Sequence, residues 1–174
     1  MTRIKTDLNW ERIHRFQKKP GWCGPAVLQM MFLASGIKKS QTAIAQAVYK
    51  PWWGTDQQII IAYLSKYFDK LSFKSNATIK DIKKKLKSGY LVLVDWWDDF
   101  DADDPDGHYT LIISYDTKSK KIKMADPSNE REGIWNMDKD EFEKRWYDSL
   151  DTDGRKWING WMLWVDPTSK KKPL

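Results

Sequence analysis

Residues 17–35 read Gln-Lys-Lys-Pro-Gly-Trp-Cys-Gly-Pro-Ala-Val-Leu-Gln-Met-Met-Phe-Leu-Ala-Ser, and the rest of the chain is organised around them. The single cysteine, Cys23, opens a strongly apolar run that predicts a helix to about Ala34. Pro25 suits the first helical turn, where its missing N–H has no helical partner anyway, and Gly36 suits the C-terminal cap. Because a helix N-terminus favours a thiolate over a thiol, this is where a nucleophilic cysteine would be placed.

Two downstream motifs bear on whether Cys23 is a nucleophile or only a small buried apolar residue. Gly107-His108-Tyr109 opens an apolar strand, and Asp126-Pro127 follows the next strand. The polar turn at residues 116–121 predicts a hairpin, and its antiparallel geometry places His108 beside Asp126. Cysteine, histidine and aspartate in this order are the components of a nucleophilic triad.

These motifs resemble a known enzyme family. Gln17, then Cys23-Gly24-Pro25-Ala26, then Gly107-His108-Tyr109 and Asp126-Pro127 are similar to the papain-like cysteine peptidases that cleave double-glycine leader peptides. The resemblance implies that Cys23 is the nucleophile and His108 the general base and acid. It further implies that Asp126 orients His108 and that Gln17 donates a hydrogen bond to the oxyanion.

The same resemblance implies an α+β papain-like fold, with a helical half that carries Cys23 and an antiparallel sheet half that carries His108 and Asp126. We expect one domain over residues 1–166 and a loose basic tail over residues 167–174. Periodicity and turn signals agree with this division. Helices are predicted near residues 23–34, 41–49, 56–68, 79–87 and 137–146, and strands near 71–73, 90–95, 108–115, 122–124 and 161–165.

Aromatic side chains are abundant, with eleven Trp in 174 residues. Trp52 and Trp53 follow Pro51 in a predicted loop, where they either form one wall of a peptide groove or fold inward. We assign Trp22, Trp52, Trp53 and Gly107 as substrate-binding residues.

The segment 95–106 contains seven aspartates and ends at Gly107-His108. Its spacing does not match a calcium-binding EF-hand loop. The preferred interpretation is a solvated loop tip, and the functional alternative is an acidic lip that selects a basic substrate segment. Carboxylates so close to His108 are expected to raise the pKa of its imidazole.

Composition limits the function further. A lone cysteine excludes an intramolecular disulfide and a Cys-rich zinc site, and it fits a reducing compartment such as the cytoplasm. No stretch reaches the about 18 apolar residues of a membrane span, and no signal peptide is evident, so we expect a free-standing relative of the family. The net charge is +6, but the basic runs at 80–87 and 170–172 lack the interleaved aromatics of nucleic-acid-binding modules.

The sequence therefore predicts a cysteine peptidase that needs no metal or cofactor and acts on a peptide or protein substrate. From the resemblance, the residue before the cleaved bond is small, such as glycine. Two alternatives stay open: an acyl transferase that uses the same triad, and a catalytically silent peptide-binding module. The sequence leaves the oligomeric state undetermined.

Overall fold

The computed structural model describes residues 3–171. This part of the chain contains six helices: α1 (Trp10–Ile13), α2 (Cys23–Ala34), α3 (Gln41–Val48), α4 (Gln57–Leu64), α5 (Ile79–Lys87) and α6 (Lys139–Arg145). It contains eleven strands: β1 (Arg3–Lys5), β2 (Tyr49–Lys50), β3 (Gly54–Thr55), β4 (Leu71–Lys74), β5 (Leu91–Asp98), β6 (Asp106–Asp116), β7 (Lys121–Ala125), β8 (Ile134–Asp138), β9 (Tyr147–Ser149), β10 (Trp157–Asn159) and β11 (Met162–Val165).

A seven-stranded antiparallel sheet forms one half of the molecule. Its order is β4-β11-β5-β6-β7-β8, and β1 pairs with part of β6. Two small sheets, β2-β3 and β9-β10, lie outside it. The predicted division into helices followed by an antiparallel sheet is confirmed.

Helix α2 packs on one face of the sheet, together with α1, α3 and α4. Its side chains from Ala26 to Leu28 and from Met30 to Phe32 are completely buried, so it is apolar on nearly every side. Ser40 caps α3, Asp56 caps α4 and Thr78 forms a capping box with Asp81 at α5. These caps fix where the chain enters α3, α4 and α5.

Strand β5 is buried on both faces, as its near-continuous apolar sequence predicts. Leu91 and Leu93 pack in the cluster that contains α2, whereas Val92, Val94 and Trp96 pack with α5 and α6 on the other face. The sheet is therefore covered by helices on both sides, and β5 and β6 lie at its centre.

Two predictions about local structure are wrong. The helix predicted from Met137 begins only at Lys139, because Ile134–Asp138 pairs with β7 as strand β8. The tail predicted to be loose from residue 167 is tied down as far as the structure describes it. The N–H of Lys171 donates to the carbonyl of Tyr67, and that of Asp69 donates to Ser169. Residues 172–174 lie outside the described part.

Within residues 3–171, no helix combines the length and the apolar content needed to cross a bilayer.

Candidate active site

Cys23 is the first residue of α2 and is half-buried. Trp22 occupies the N-cap and provides no side-chain cap, so the free N–H groups of the first turn remain available near the sulfur. The first turn of α2 packs directly against Thr55 of β3. A Cβ added at Gly24 would lie only 2.5 Å from Cβ and Oγ1 of Thr55, so a larger residue does not fit. Packing against Thr55 therefore favours glycine after the cysteine.

His108 lies on β6 and is 7% exposed. Its Nε2 donates to Oδ1 of Asp126 over 2.7 Å, and the edge of Trp96 packs against its ring with centroids 5.4 Å apart. The side chain of Cys23 also lies within hydrogen-bonding reach of the ring. Since Nε2 is bonded to Asp126, Nδ1 is the nitrogen left to face the sulfur.

The charge on His108 follows from these contacts. Burial alone would lower the pKa of His108, but the hydrogen bonds and negative charge of Asp126 and Cys23 raise it to about 10. The imidazole is therefore an imidazolium at neutral pH. The direction agrees with the sequence-based expectation, but the main causes are Asp126 and Cys23 rather than the acidic segment 95–106.

Asp126 is completely buried and surrounded by hydrogen-bond donors. Besides His108, it accepts from the backbone N–H of Ser128 at 2.9 Å, from Nε of Arg131 at 2.6 Å and from Nε1 of Trp135 at 2.8 Å. Burial would raise the pKa of Asp126, but the bond from His108 and the charges of His108 and Arg131 hold it well below its usual range. Asp126 is thus a stable anion.

Sequence reasoning missed two residues that hold Asp126. Arg131 bridges Asp126 and Asp98 over 2.6 Å each, and its guanidinium lies over the ring of Trp96. His14 donates from Nε2 to the backbone carbonyl of Asp126 at 2.7 Å. The only sequence signal was the nearness of Arg131 to the Asp-Pro motif, which by itself is common.

Gln17 lies on the loop that precedes Cys23. Its backbone N–H donates to the carbonyl of Pro127 at 2.8 Å, and its carbonyl accepts from Asn129 at 2.9 Å. The fully buried Gln41 bonds to the residues on either side, Phe16 and Lys18. The backbone of Gln17 is therefore held beside the turn that carries Asp126. Within residues 3–171, its side-chain amide has no hydrogen-bond partner.

A cleft of about 930 Å³ opens beside Cys23. Trp52, Trp53 and Gly107 line it, and Trp52 is 77% exposed, so this tryptophan pair forms a wall and does not fold inward. Trp22 does not line the cleft. It is only 7% exposed, because its ring packs between Tyr49 and the side chain of Lys19.

The aspartates of segment 95–106 do not form a single lip. Asp95 is buried, Asp98 pairs with Arg131, Asp99 pairs with Arg145, and only Asp106 lines the cleft. The loop between them, including Asp101 and its two acidic neighbours at 103 and 104, is exposed to solvent. In the part of the chain that the structure describes, no group of three or more His, Cys, Asp or Glu side chains is arranged to hold a metal ion.

Asp95 is the unusual member of that segment. It is 1% exposed, and its Oδ2 accepts from Nε2 of Gln57 at 2.7 Å, whereas Oδ1 has no donor among the described residues. Asp148 of β9, which lines the cleft, is its neighbour. Burial, and then the charge of Asp148, raise the pKa of Asp95 well above its usual range. A protonated Asp95 can donate to Asp148, so the two carboxyl groups share a proton.

Comparison with known proteins identifies the family. The model of the Peptidase_C39 like family matches residues 8–152, which is most of the chain. The chain belongs to this family. No curated protein matches it significantly.

Solved structures of C39-type peptidases share the fold. One is described as a C39-like peptidase from Bacillus anthracis. It is 15% identical in sequence and superposes with a TM-score of 0.63, and the match covers 88% of this chain and 94% of that protein. The peptidase domain of Streptococcus ComA, a bifunctional ABC transporter of a quorum-sensing pathway, is 15% identical with a TM-score of 0.62, covering 87% and 96%.

A third structure is a double-glycine-motif protease from an AMS/PCAT transporter in complex with its leader peptide. It is 14% identical with a TM-score of 0.57, and the match covers 86% of this chain and 88% of that protein. At these identities the likeness establishes the fold alone, and this confirms the predicted papain-like architecture.

Proposed function

We propose that this C39-like protein is a cysteine peptidase in which Cys23, His108 and Asp126 hydrolyse a peptide bond. The observation that carries the proposal is the position of His108. Its imidazolium is held by the Asp126 carboxylate on one side and by the sulfur of a cysteine at a helix start on the other. An imidazolium next to that sulfur favours the thiolate, which is the attacking species.

The reaction then follows in two steps. The Cys23 sulfur attacks the scissile carbonyl carbon, and His108 gives its proton to the leaving nitrogen as the C–N bond breaks, so a thioester forms. His108, now neutral, takes a proton from water, whose oxygen attacks the thioester and releases the acid and the thiolate. Asp126 keeps the ring in the orientation and tautomer that both steps need.

Gln17 is proposed to stabilise the oxyanion, together with the backbone N–H of Cys23. Two features support this role: within residues 3–171 the Gln17 side-chain amide has no hydrogen-bond partner, and the loop backbone is held by Pro127 and Asn129. Removing one such donor typically lowers turnover by about 100- to 1000-fold. Gln17→Ala should therefore lower kcat far more than it raises KM.

The substrate is proposed to be a peptide segment with a small residue, such as glycine, before the cleaved bond. The support is the family itself, together with the leader peptide that one structural relative binds. The tryptophan-walled cleft next to Cys23 gives an extended peptide a place to lie.

The test is cleavage of a mixed peptide library that contains Gly-Gly sequences, analysed by mass spectrometry for the parent and for Cys23→Ala. We expect cleavage by the parent and none by the variant. Parallel reactions with a primary amine added separate hydrolysis from acyl transfer, because an amide product would identify a transferase. If the parent cleaves nothing while both proteins bind the same peptides, the peptide-binding module is correct and the peptidase proposal is wrong.

A further inference from the structure

The cleft next to Cys23 is acidic, although the protein as a whole is basic. Five aspartates and one lysine are among its lining residues: Asp56, Asp106, Asp148, Asp151, Asp153 and Lys156. Of the five, only Asp153 has an ion-pair partner within residues 3–171, namely Arg155 at 3.8 Å. In a chain of net charge +6, this concentration of uncompensated negative charge favours a cationic occupant.

Among the cleft aspartates, Asp148 packs against Gly107, the residue before His108. A Cβ on Gly107 would lie 2.4 Å from both carboxylate oxygens of Asp148, so only glycine before His108 lets this carboxylate approach. One oxygen, Oδ1, accepts from the backbone N–H of Ser149 at 2.7 Å. The carboxylate is therefore fixed against the strand that carries His108.

One buried polar atom of a cleft residue has no hydrogen-bond partner within residues 3–171. It is Oγ1 of Thr55, a residue that is only 9% exposed. Because buried polar groups are normally satisfied, an unpaired atom at a cleft wall indicates a place where a ligand supplies a hydrogen bond. This hydroxyl oxygen can accept from a donor-only group such as an ammonium or a guanidinium.

The walls of the cleft suit the stem of such a group. Trp52 stands 77% exposed on one side, and Trp157, 46% exposed, packs against Trp97 with ring centroids 5.3 Å apart. Aromatic faces attract cations and cover the methylene groups of lysine and arginine side chains. The negative charge, the unpaired oxygen of Thr55 and the aromatic walls therefore all favour a cationic side chain.

We propose that this cleft binds a lysine or arginine side chain of the peptide substrate, close to the scissile bond, and that Asp148 is the residue that determines this specificity. The proposal rests on the proposed peptidase function for its substrate, but its test measures binding alone. At neutral pH Asp148 is ionised, since burial raises its pKa only to about 6.

The experiment uses fluorescein-labelled hexapeptides of alanine and glycine that carry one lysine, norleucine or glutamate at each position in turn. Their affinity for Cys23→Ala is measured by fluorescence polarisation, so that no peptide is consumed. At one position or more, lysine should bind about tenfold to a hundredfold more tightly than norleucine, as expected for a charged hydrogen bond in a partly buried site. Glutamate should bind most weakly there.

Two further variants test whether Asp148 is the source of the preference for lysine. Adding Asp148→Asn to Cys23→Ala should reduce the preference for lysine to within about twofold, whereas adding Asp103→Asn should leave it intact. Asp103 is exposed, carries the same charge and does not line the cleft. A general electrostatic attraction would be weakened equally by both substitutions.

Norleucine and lysine peptides that bind equally at every position would overturn the proposal, as would a lysine preference that survives Asp148→Asn. The proposed function is tested separately, by peptide cleavage with the parent protein. Lysine selectivity in a protein that cleaves nothing would support the binding site and reject the peptidase. Cleavage without lysine selectivity would support the peptidase and reject the lysine-binding site.

Discussion

Two aspartates are almost equally buried in this protein, and their environments are opposite. Asp126 is 0% exposed and receives four hydrogen bonds, two of them from the charged side chains of His108 and Arg131. Asp95 is 1% exposed and receives one bond, from Gln57, while it faces the carboxyl group of Asp148. The first is an anion and the second is protonated.

The difference shows that burial does not decide the ionisation of a carboxyl group by itself. Burial disfavours the charged form at both sites, and donors and counter-charges reverse the outcome only at Asp126. The Asp126 anion orients the histidine, whereas the protonated Asp95 is the buried neighbour of Asp148, which lines the cleft. Replacing an aspartate by asparagine should therefore have opposite effects on stability at the two sites.

The largest effect is expected for Asp126→Asn. This change removes one of the two carboxylates that pair with Arg131, and the one that is fully buried, so the free energy of unfolding should fall by about 3 kcal/mol. Urea denaturation at neutral pH measures it. The control is Asp7→Asn at a fully exposed site, where the change should stay within about 0.5 kcal/mol. Equal effects from the two variants would contradict the account of Asp126.

A smaller loss is expected for Arg131→Met, which keeps the bulk of the side chain and removes its charge. Asp126 retains the bonds from His108, Ser128 and Trp135, so we expect a loss of about 2 kcal/mol at neutral pH. The exposed Arg155→Met is the matched control.

Arg131→Met should also raise the pH at which the protein unfolds in acid. The lowered pKa of Asp126 contributes stability that is present above the unfolded value of about 3.9 and is lost as pH falls further. Without the guanidinium, the pKa of Asp126 rises, so this stability is lost at higher pH. Acid unfolding followed by tryptophan fluorescence should move upward in pH, and an unmoved transition would show that His108 alone holds the charge.

The smallest change in the free energy of unfolding is expected for Asp148→Asn. It should be a gain in stability, whereas the two preceding variants lose stability. Burial raises the pKa of Asp148 to about 6, so its contribution to stability is present below about pH 4 and is lost as pH rises to about 6. Asparagine does not ionise. At pH 7 the variant should be more stable by about 1 kcal/mol, and the gain should disappear near pH 4. A loss of stability at pH 7 would contradict the assignment.

Local sequence signals were sufficient for much of the fold. The helix from Cys23, the turn at residues 116–121 and the apolar run of β5 each depend on neighbours in the chain, and each predicted element is present in the structure. The hairpin β6-β7 explains how His108 and Asp126 come together, since its two strands run antiparallel from one turn.

The residues that surround Asp126 and the cleft could not be predicted from local sequence signals. Strand β9, which carries Asp148, is three residues long, pairs only with the equally short β10 and has no periodic pattern to reveal it. Trp97 stacks on Tyr147 of β9, and the two residues are fifty positions apart in the sequence. Arg131 and His14 likewise reach Asp126 from loops, through contacts that only the folded chain defines.

The central claim is that the His108 imidazolium, held by Asp126, activates Cys23, and the most direct test is the rate of Cys23 alkylation by iodoacetamide as a function of pH. With one cysteine in the chain, intact mass reports this site alone. We predict rapid alkylation that persists at about pH 6 in the parent and is lost in His108→Ala. A rate that follows an ordinary thiol of pKa about 8.5, and is the same in both proteins, would contradict the account.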